Sequence, residues 1–156
     1  MGQLPEEKLD ELLKKFLFKR FIKFYMRSFE TYKVDADNIK FARYKWDQHF
    51  IDPEFRNFMC NLIFKLEPIK FSKDTILADE LDEINQVIYI IDEYYHVGFS
   101  INRQPFFRLK MKNKDIGAYY LTFDKQSSFI YKTIRDCWGY FIRRKSWKEI
   151  ISNEET

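Results

Sequence analysis

The chain has 156 residues, 46% hydrophobic and 33% charged, a balance that suits one globular domain with a helical extension and excludes a largely disordered chain. Its net charge is only +3, and the excess lies in residues 1–70, with 14 Lys/Arg against 11 Asp/Glu, while residues 71–156 balance at 13 against 13. Lys and Arg interrupt every apolar run before it reaches the ~18 residues a bilayer span needs, and no secretory segment is present, so a soluble cytosolic chain is expected.

The first predicted element is a helix over 6–26. Pro5 sits at its start, Glu6, Glu7, Asp10 and Glu11 fill the first turns, and bases follow, the order a helix dipole favours. Lys14 to Arg27 contains six basic residues and no acid, interleaved with aromatics. A core-facing aromatic stripe with a solvated basic back is preferred here over a membrane-surface helix. Val34 to Asn38 reads as a break before a shorter helix over 39–46. Asp52-Pro53 is a start signal, Asp as cap and Pro at the first helical position, and Phe55, Phe58, Met59, Leu62, Ile63 and Leu66 then recur on one face. This predicts a helix over 54–66, stopped by Pro68.

After Pro68 the apolar period changes from helical to two. Strands are expected at 69–71, 75–77, 86–91, 94–101, 106–111, 129–133 and 138–143, with turns at Asn102 to Pro105 and Asn113 to Asp115. Asp115-Ile-Gly-Ala-Tyr-Tyr-Leu-Thr-Phe123 interrupts them as a short non-strand cassette. Ser146 is expected to cap a last helix over 147–152. The fold class is therefore α+β: a helical lead-in (1–67), then an antiparallel β-roll of jelly-roll type with a closing C-terminal helix (68–156). Short connections favour antiparallel neighbours.

Several chemistries lack their residues. His49 and His96 are the only histidines, so the cluster of a metal-dependent barrel enzyme cannot be assembled, and His96 reads as structural or surface. Cys60 and Cys137 sit in apolar runs at no metal or redox spacing and are expected to be buried free thiols. Asp79 to Glu83 offers four carboxylates in five residues, best read as an exposed acidic turn able to pair with the basic front helix. Trp46, Trp138 and Trp147 are expected to pack the core and closing helix. Arg143-Arg144-Lys145 is a basic cluster, but the balanced charge of the roll disfavours nucleic acid. No phosphate-binding loop or nucleophile motif is present, so no enzyme is expected.

The order and spacing of these elements resemble the cyclic nucleotide-binding domain family, in particular the cytosolic linker and binding-domain region of voltage-gated cation channels. Phe64-Lys-Leu-Glu-Pro68 with Ile69 to Ile76 looks like the family's first strand and turn. Glu80 to Ile91 is similar to the entry to its second strand. Asp115-Ile-Gly117 stands where the phosphate-binding cassette begins, and Cys137 to Trp147 resembles the last strand and the helix after it. The likeness covers about residues 60–152, with 6–46 corresponding to the helical linker after a channel's pore.

In the family, a glutamate after the cassette glycine contacts the ribose, and an arginine about nine residues later pairs with the cyclic phosphate. Here Ala118 follows Gly117, and Ser127 or Ser128 holds the arginine's place. Hydrogen bonds to charged groups contribute ~1.5–3 kcal/mol each, so losing two removes roughly two to four decades of affinity. Lys125 supplies a point charge but not the bidentate fork. The chain also stops before the long helix that closes over the ligand in the family.

The resemblance thus implies a domain similar to that of ether-à-go-go type potassium channels, with no cofactor, and with cyclic AMP or cyclic GMP not favoured. Ile116, Gly117, Ala118, Tyr119, Tyr120, Leu121, Lys125, Ser127, Ser128 and Phe129 are the candidate cavity residues. Phe16, Phe21 and Phe24 are the candidate contacts with other subunits. The expected partners are other subunits of a channel or larger assembly, at the cytosolic face of a membrane. The alternative is a free-standing, non-enzymatic scaffold subunit of the same fold.

Overall fold

The computed structural model describes residues 24, 25 and 53–154 of the chain. They fall into two compact units divided between Phe64 and Lys65. The predicted break at 34–38, the helix over 39–46, Asp52, His49 and Trp46 lie outside the described residues. So does the helix over 6–26, except for Phe24 and Tyr25, which are helical and buried.

Helix α1 spans Pro53–Lys65, with all but its last residue in the first unit. Pro53 occupies the position where a missing N–H costs nothing, Glu54 lies in the first turn and Lys65 in the last, so both ends suit the helix dipole. Phe58, Met59, Leu62 and Ile63 are buried at helical spacing, and the Tyr25 ring meets Phe58 edge-on at 5.1 Å. Cys60 falls on the opposite face and is exposed, correcting the expectation of a buried thiol: the buried stripe passes through its neighbours Met59 and Leu62.

The second unit contains seven strands and two helices. In chain order they are β1 Glu67–Phe71, β2 Ile76–Ala78, β3 Gln86–Ile90, β4 Tyr95–Ile101, β5 Gln104–Met111, α2 Ala118–Thr122, β6 Ile130–Thr133, β7 Cys137–Arg143 and α3 Arg144–Glu154. The strands form two antiparallel sheets, ordered β1-β7-β3 and β2-β6-β4-β5. This is the expected roll with a closing helix. Phe71, Ile88, Ile90, Tyr95, Val97, Ile116 and Cys137 form its core.

The differences from the sequence reading are local. β1 starts at Glu67 and includes Pro68, tolerated because β1 is an edge strand that needs one ladder only. β5 starts at Gln104 because the turn is just two residues, Asn102 and Arg103, both at positive φ (52° and 67°). That is the hairpin turn whose twist matches the strands. α3 begins at Arg144, so Ser146 lies inside its first turn rather than capping it; the Arg144 N–H is already bonded to the Asn85 carbonyl at 2.9 Å. Trp138 is 64% exposed and does not pack the core. It pairs with Lys70 across β1, whose Nζ stands 5.3 Å from the ring centroid, while Cys137 and Gly139 take the inward positions.

Candidate functional site

The cassette between β5 and β6 is anchored at its entry. Ile116 exchanges two backbone hydrogen bonds with Ile88, both 2.9 Å, bringing the chain into the β3 side of the roll. Gly117 then turns it with φ 102°, a left-handed conformation in which a side chain would be strained, and an added Cβ would stand 2.8 Å from the Gln86 carbonyl oxygen. Glycine is therefore required by backbone approach, and Ala118 to Thr122 follow as the one-turn helix α2. Leu121 and Phe123 N–H groups donate to the Gly117 and Tyr119 carbonyls.

The exit limb is zipped onto the loop between β2 and β3. The Ser127 N–H donates to the Asp82 carbonyl at 3.0 Å, the Leu81 N–H donates to the Ser127 carbonyl at 2.8 Å, and Glu83 bridges Gln126. Ser127 is buried, and its hydroxyl donates to the Phe129 carbonyl at 2.7 Å, closing a local turn. Ser128 and Phe129 are exposed.

Of the candidate cavity residues, Ile116, Gly117, Ala118, Tyr120, Leu121 and Ser127 are buried together, whereas Tyr119, Lys125, Ser128 and Phe129 face outward. Lys125 Nζ lies 3.0 Å from the Tyr119 hydroxyl and 5.2 Å from its ring centroid, so the nearby point charge is held on the exterior of the cassette. Phe24 is buried, and Phe16 and Phe21 lie outside the described residues.

Inside, tyrosines fill the roll behind the cassette. The Tyr120 and Tyr131 hydroxyls are 3.1 Å apart, the Tyr131 and Tyr95 rings 6.3 Å apart, and the Tyr95 hydroxyl donates to the Lys114 carbonyl. Burial raises the Tyr131 and Tyr95 phenols well above the usual range, helped by Tyr120 for the first and the Asp115 charge for the second. Both stay neutral, so they serve as hydrogen-bonding core rather than as acid or base. Two cavities flanking the cassette are small. One of about 240 Å³ is lined by Glu83, Tyr120, Asp124, Lys125 and Arg144 among others, and one of about 160 Å³ by Leu77, Ile84, Gln86 and Ile116 among others. Typical small-molecule sites start near ~300 Å³.

The sequence reading missed the clamp that ties α3 to the cassette. Trp147 Nε1 donates to Thr122 Oγ1 at 3.0 Å, and Thr122 in turn donates to the Ala118 carbonyl. Asp124 accepts from Lys148 at 2.9 Å and Arg144 at 3.0 Å, and these cations hold its carboxyl below the usual range, Lys148 first. Arg144 also reaches Glu83 at 3.3 Å, so the positive charge beside the larger cavity is matched by two carboxylates. The basic cluster at 143–145 is thereby split, since Arg143 instead makes a two-pronged bond to Glu67 at 2.8 and 3.0 Å. The acidic turn is spent mainly inside its own unit: Asp82 accepts from the Asp79 N–H, Glu80 from the Ser100 N–H, and Glu83 pairs with Arg144. The one signal for the clamp was Arg144 and Lys148 at helical i, i+4 spacing.

Two sheets, a cassette opened by a left-handed glycine and a helix after the last strand define the cyclic nucleotide-binding domain fold. Solved structures of that fold are similar to this chain. The regulatory domain of Toxoplasma gondii PKA, crystallised with cAMP, has a TM-score of 0.60 at 9% identity, covering 95% of this chain and 46% of that one. The regulatory subunit of a cAMP-independent protein kinase A from Trypanosoma cruzi, bound to guanosine, scores 0.55 at 13% identity, covering 72% and 43%. The sensor domain of the transcriptional regulator DNR from Pseudomonas aeruginosa scores 0.53 at 7% identity, covering 69% and 73%. The chain thus spans less than half the length of either kinase regulatory structure. No family model matches the chain, and no curated protein matches it by sequence.

Proposed function

We propose that this protein is a non-enzymatic regulatory module that keeps the cyclic nucleotide-binding fold but works without tight binding of cyclic AMP or cyclic GMP. The observation that carries this reading is the fate of the polar groups at the cassette. Of the two serines at the place the resemblance assigns to the phosphate-binding arginine, Ser127 spends its hydroxyl on Phe129 and Ser128 carries no charge, while Lys125 is engaged outward on Tyr119. Among the described residues no basic side chain there is left without a partner for a cyclic phosphate, and the two cavities of about 240 and 160 Å³ beside the cassette are small for a nucleotide. On this reading the roll is the cytosolic module of a cation channel of the ether-à-go-go type, passing its state through residues 6–66 to neighbouring subunits. Calorimetric titration of the full chain with cyclic AMP and with cyclic GMP is expected to show no saturable heat up to high micromolar ligand. A dissociation constant in the micromolar range or tighter sinks the proposal.

The second reading, a free-standing scaffold subunit docked into a larger assembly, is favoured by the same closed cassette. Light scattering coupled to size-exclusion chromatography separates the two, with tetramers supporting the channel reading and a monomer the scaffold.

A further inference from the structure

The β4–β5 hairpin carries an exposed apolar and cationic surface that nothing in the cassette uses. Pairing places Val97 opposite Leu109, Phe99 opposite Phe106 and Ile101 opposite Gln104, so these positions share the face that Val97 and Tyr95 turn to the core. Towards the turn this face runs past the core, and Ile101, Phe106 and Leu109 are left 43%, 40% and 58% exposed. From Arg103 to Lys114 there are five basic residues and no acid. All five are exposed, and among the described residues Arg103, Arg108, Lys110 and Lys114 form no ion pair; Lys112 lies over the Tyr94 ring at 5.1 Å. Two carboxylates around the β4 side of the sheet are engaged elsewhere, Glu80 by the Ser100 N–H and Asp74 by Lys132.

β5 is also an edge strand, so its alternating side chains border one open margin. A protein strand adding there is disfavoured by three features. Pro105 offers no N–H, Arg108 is the extra residue of a bulge between the Val97 and Gly98 pairings, and lysines line the rest, the devices that keep sheet edges from pairing. A fluid anionic surface needs no strand register and satisfies both the cations and the apolar side chains.

We propose that the tip and free edge of the β4–β5 hairpin dock on a membrane surface containing anionic phospholipid, with Arg103, Arg108 and Lys110 at the headgroups and Ile101, Phe106 and Leu109 entering the interface. The proposal rests on the hairpin alone and stands whether or not a nucleotide binds. The test is sedimentation of the full chain with vesicles of phosphatidylcholine and with vesicles containing about one-third phosphatidylserine. Binding is expected to the anionic vesicles only, and to weaken steeply with added salt. Reversing two exposed charges (Arg108→Glu with Lys110→Glu) is expected to weaken it at least about tenfold, and so is Phe106→Ser with Leu109→Ser, with unchanged circular dichroism in both. Equal binding to both vesicle types overturns the proposal. So does full anionic binding by both double variants, which would move the contact to another basic segment, and so does capture of an acidic alternating peptide with no vesicle binding.

Discussion

The cassette and the β4–β5 hairpin are separated by only a few residues, yet their polar groups meet opposite fates. In the cassette, Ser127, Thr122 and Asp124 all find partners in the chain itself: Ser127 with Phe129, Thr122 with Trp147, and Asp124 with Lys148 and Arg144. In the hairpin, four cations find no ionic partner among the described residues, and three large apolar side chains stay in water. The cassette is closed by internal bonding, whereas the neighbouring hairpin holds exposed cations and apolar side chains out from the fold.

That contrast can be broken most severely at the clamp. Trp147→Ala removes a buried indole and its bond to Thr122, and is expected to cost ~3–5 kcal/mol, whereas Leu109→Ser in the hairpin stays within ~0.5 kcal/mol. Urea unfolding of both variants checks this; equal losses would erase the distinction between a bonded cassette and an unburied hairpin. Next in size is Gly117→Ala, expected to cost ~1–3 kcal/mol because it forces an L residue to φ 102° against the Gln86 carbonyl. Its loss of stability should come with faster amide exchange at Leu121 and Phe123, and unchanged exchange there would mean that the glycine does not hold the cassette.

The smallest effect is on pH. Asp124 has its carboxyl depressed by Lys148 and Arg144, so its folded value lies below the ordinary 3.8. The sign follows from linkage: this contribution is present above pH 3.8 and is lost as pH falls through the folded value. The urea midpoints of wild type and Asp124→Asn are therefore expected to differ slightly at neutral pH and to converge as pH falls below the folded value. The carboxylate is exposed, so the gap is small and shrinks in salt. A gap constant from neutral to acid pH would show that the charge does not hold α3 to the cassette.

Much of the architecture was legible from local patterning. The change from helical period to alternation at Pro68, the turn residues around Asn102 and Asn113, and the lone glycine of Asp115-Ile-Gly117 located the strands and the cassette within a few residues. Boundaries slipped where local signals conflict with pairing. Pro105 looks like a turn residue but is tolerated in an edge strand, and Ser146 looks like a cap but follows a strand that enters its helix directly. The side-chain fates of Cys60 and Trp138 were read wrongly, because an apolar run does not say which face of its element is covered.

By itself, the sequence determined the order of elements from residue 53 onward, the place of a glycine at 117 and the absence of charge at 118 and 127, all of which depend on residue type and short-range spacing. Only the tertiary structure decided that Arg144 meets Asp124 and Glu83, that Trp147 bonds Thr122, and that the apolar face of the hairpin outruns the core. These contacts join residues about 20 to 60 positions apart, and strand register, which selects such partners, is settled by packing across the whole roll rather than by any local run.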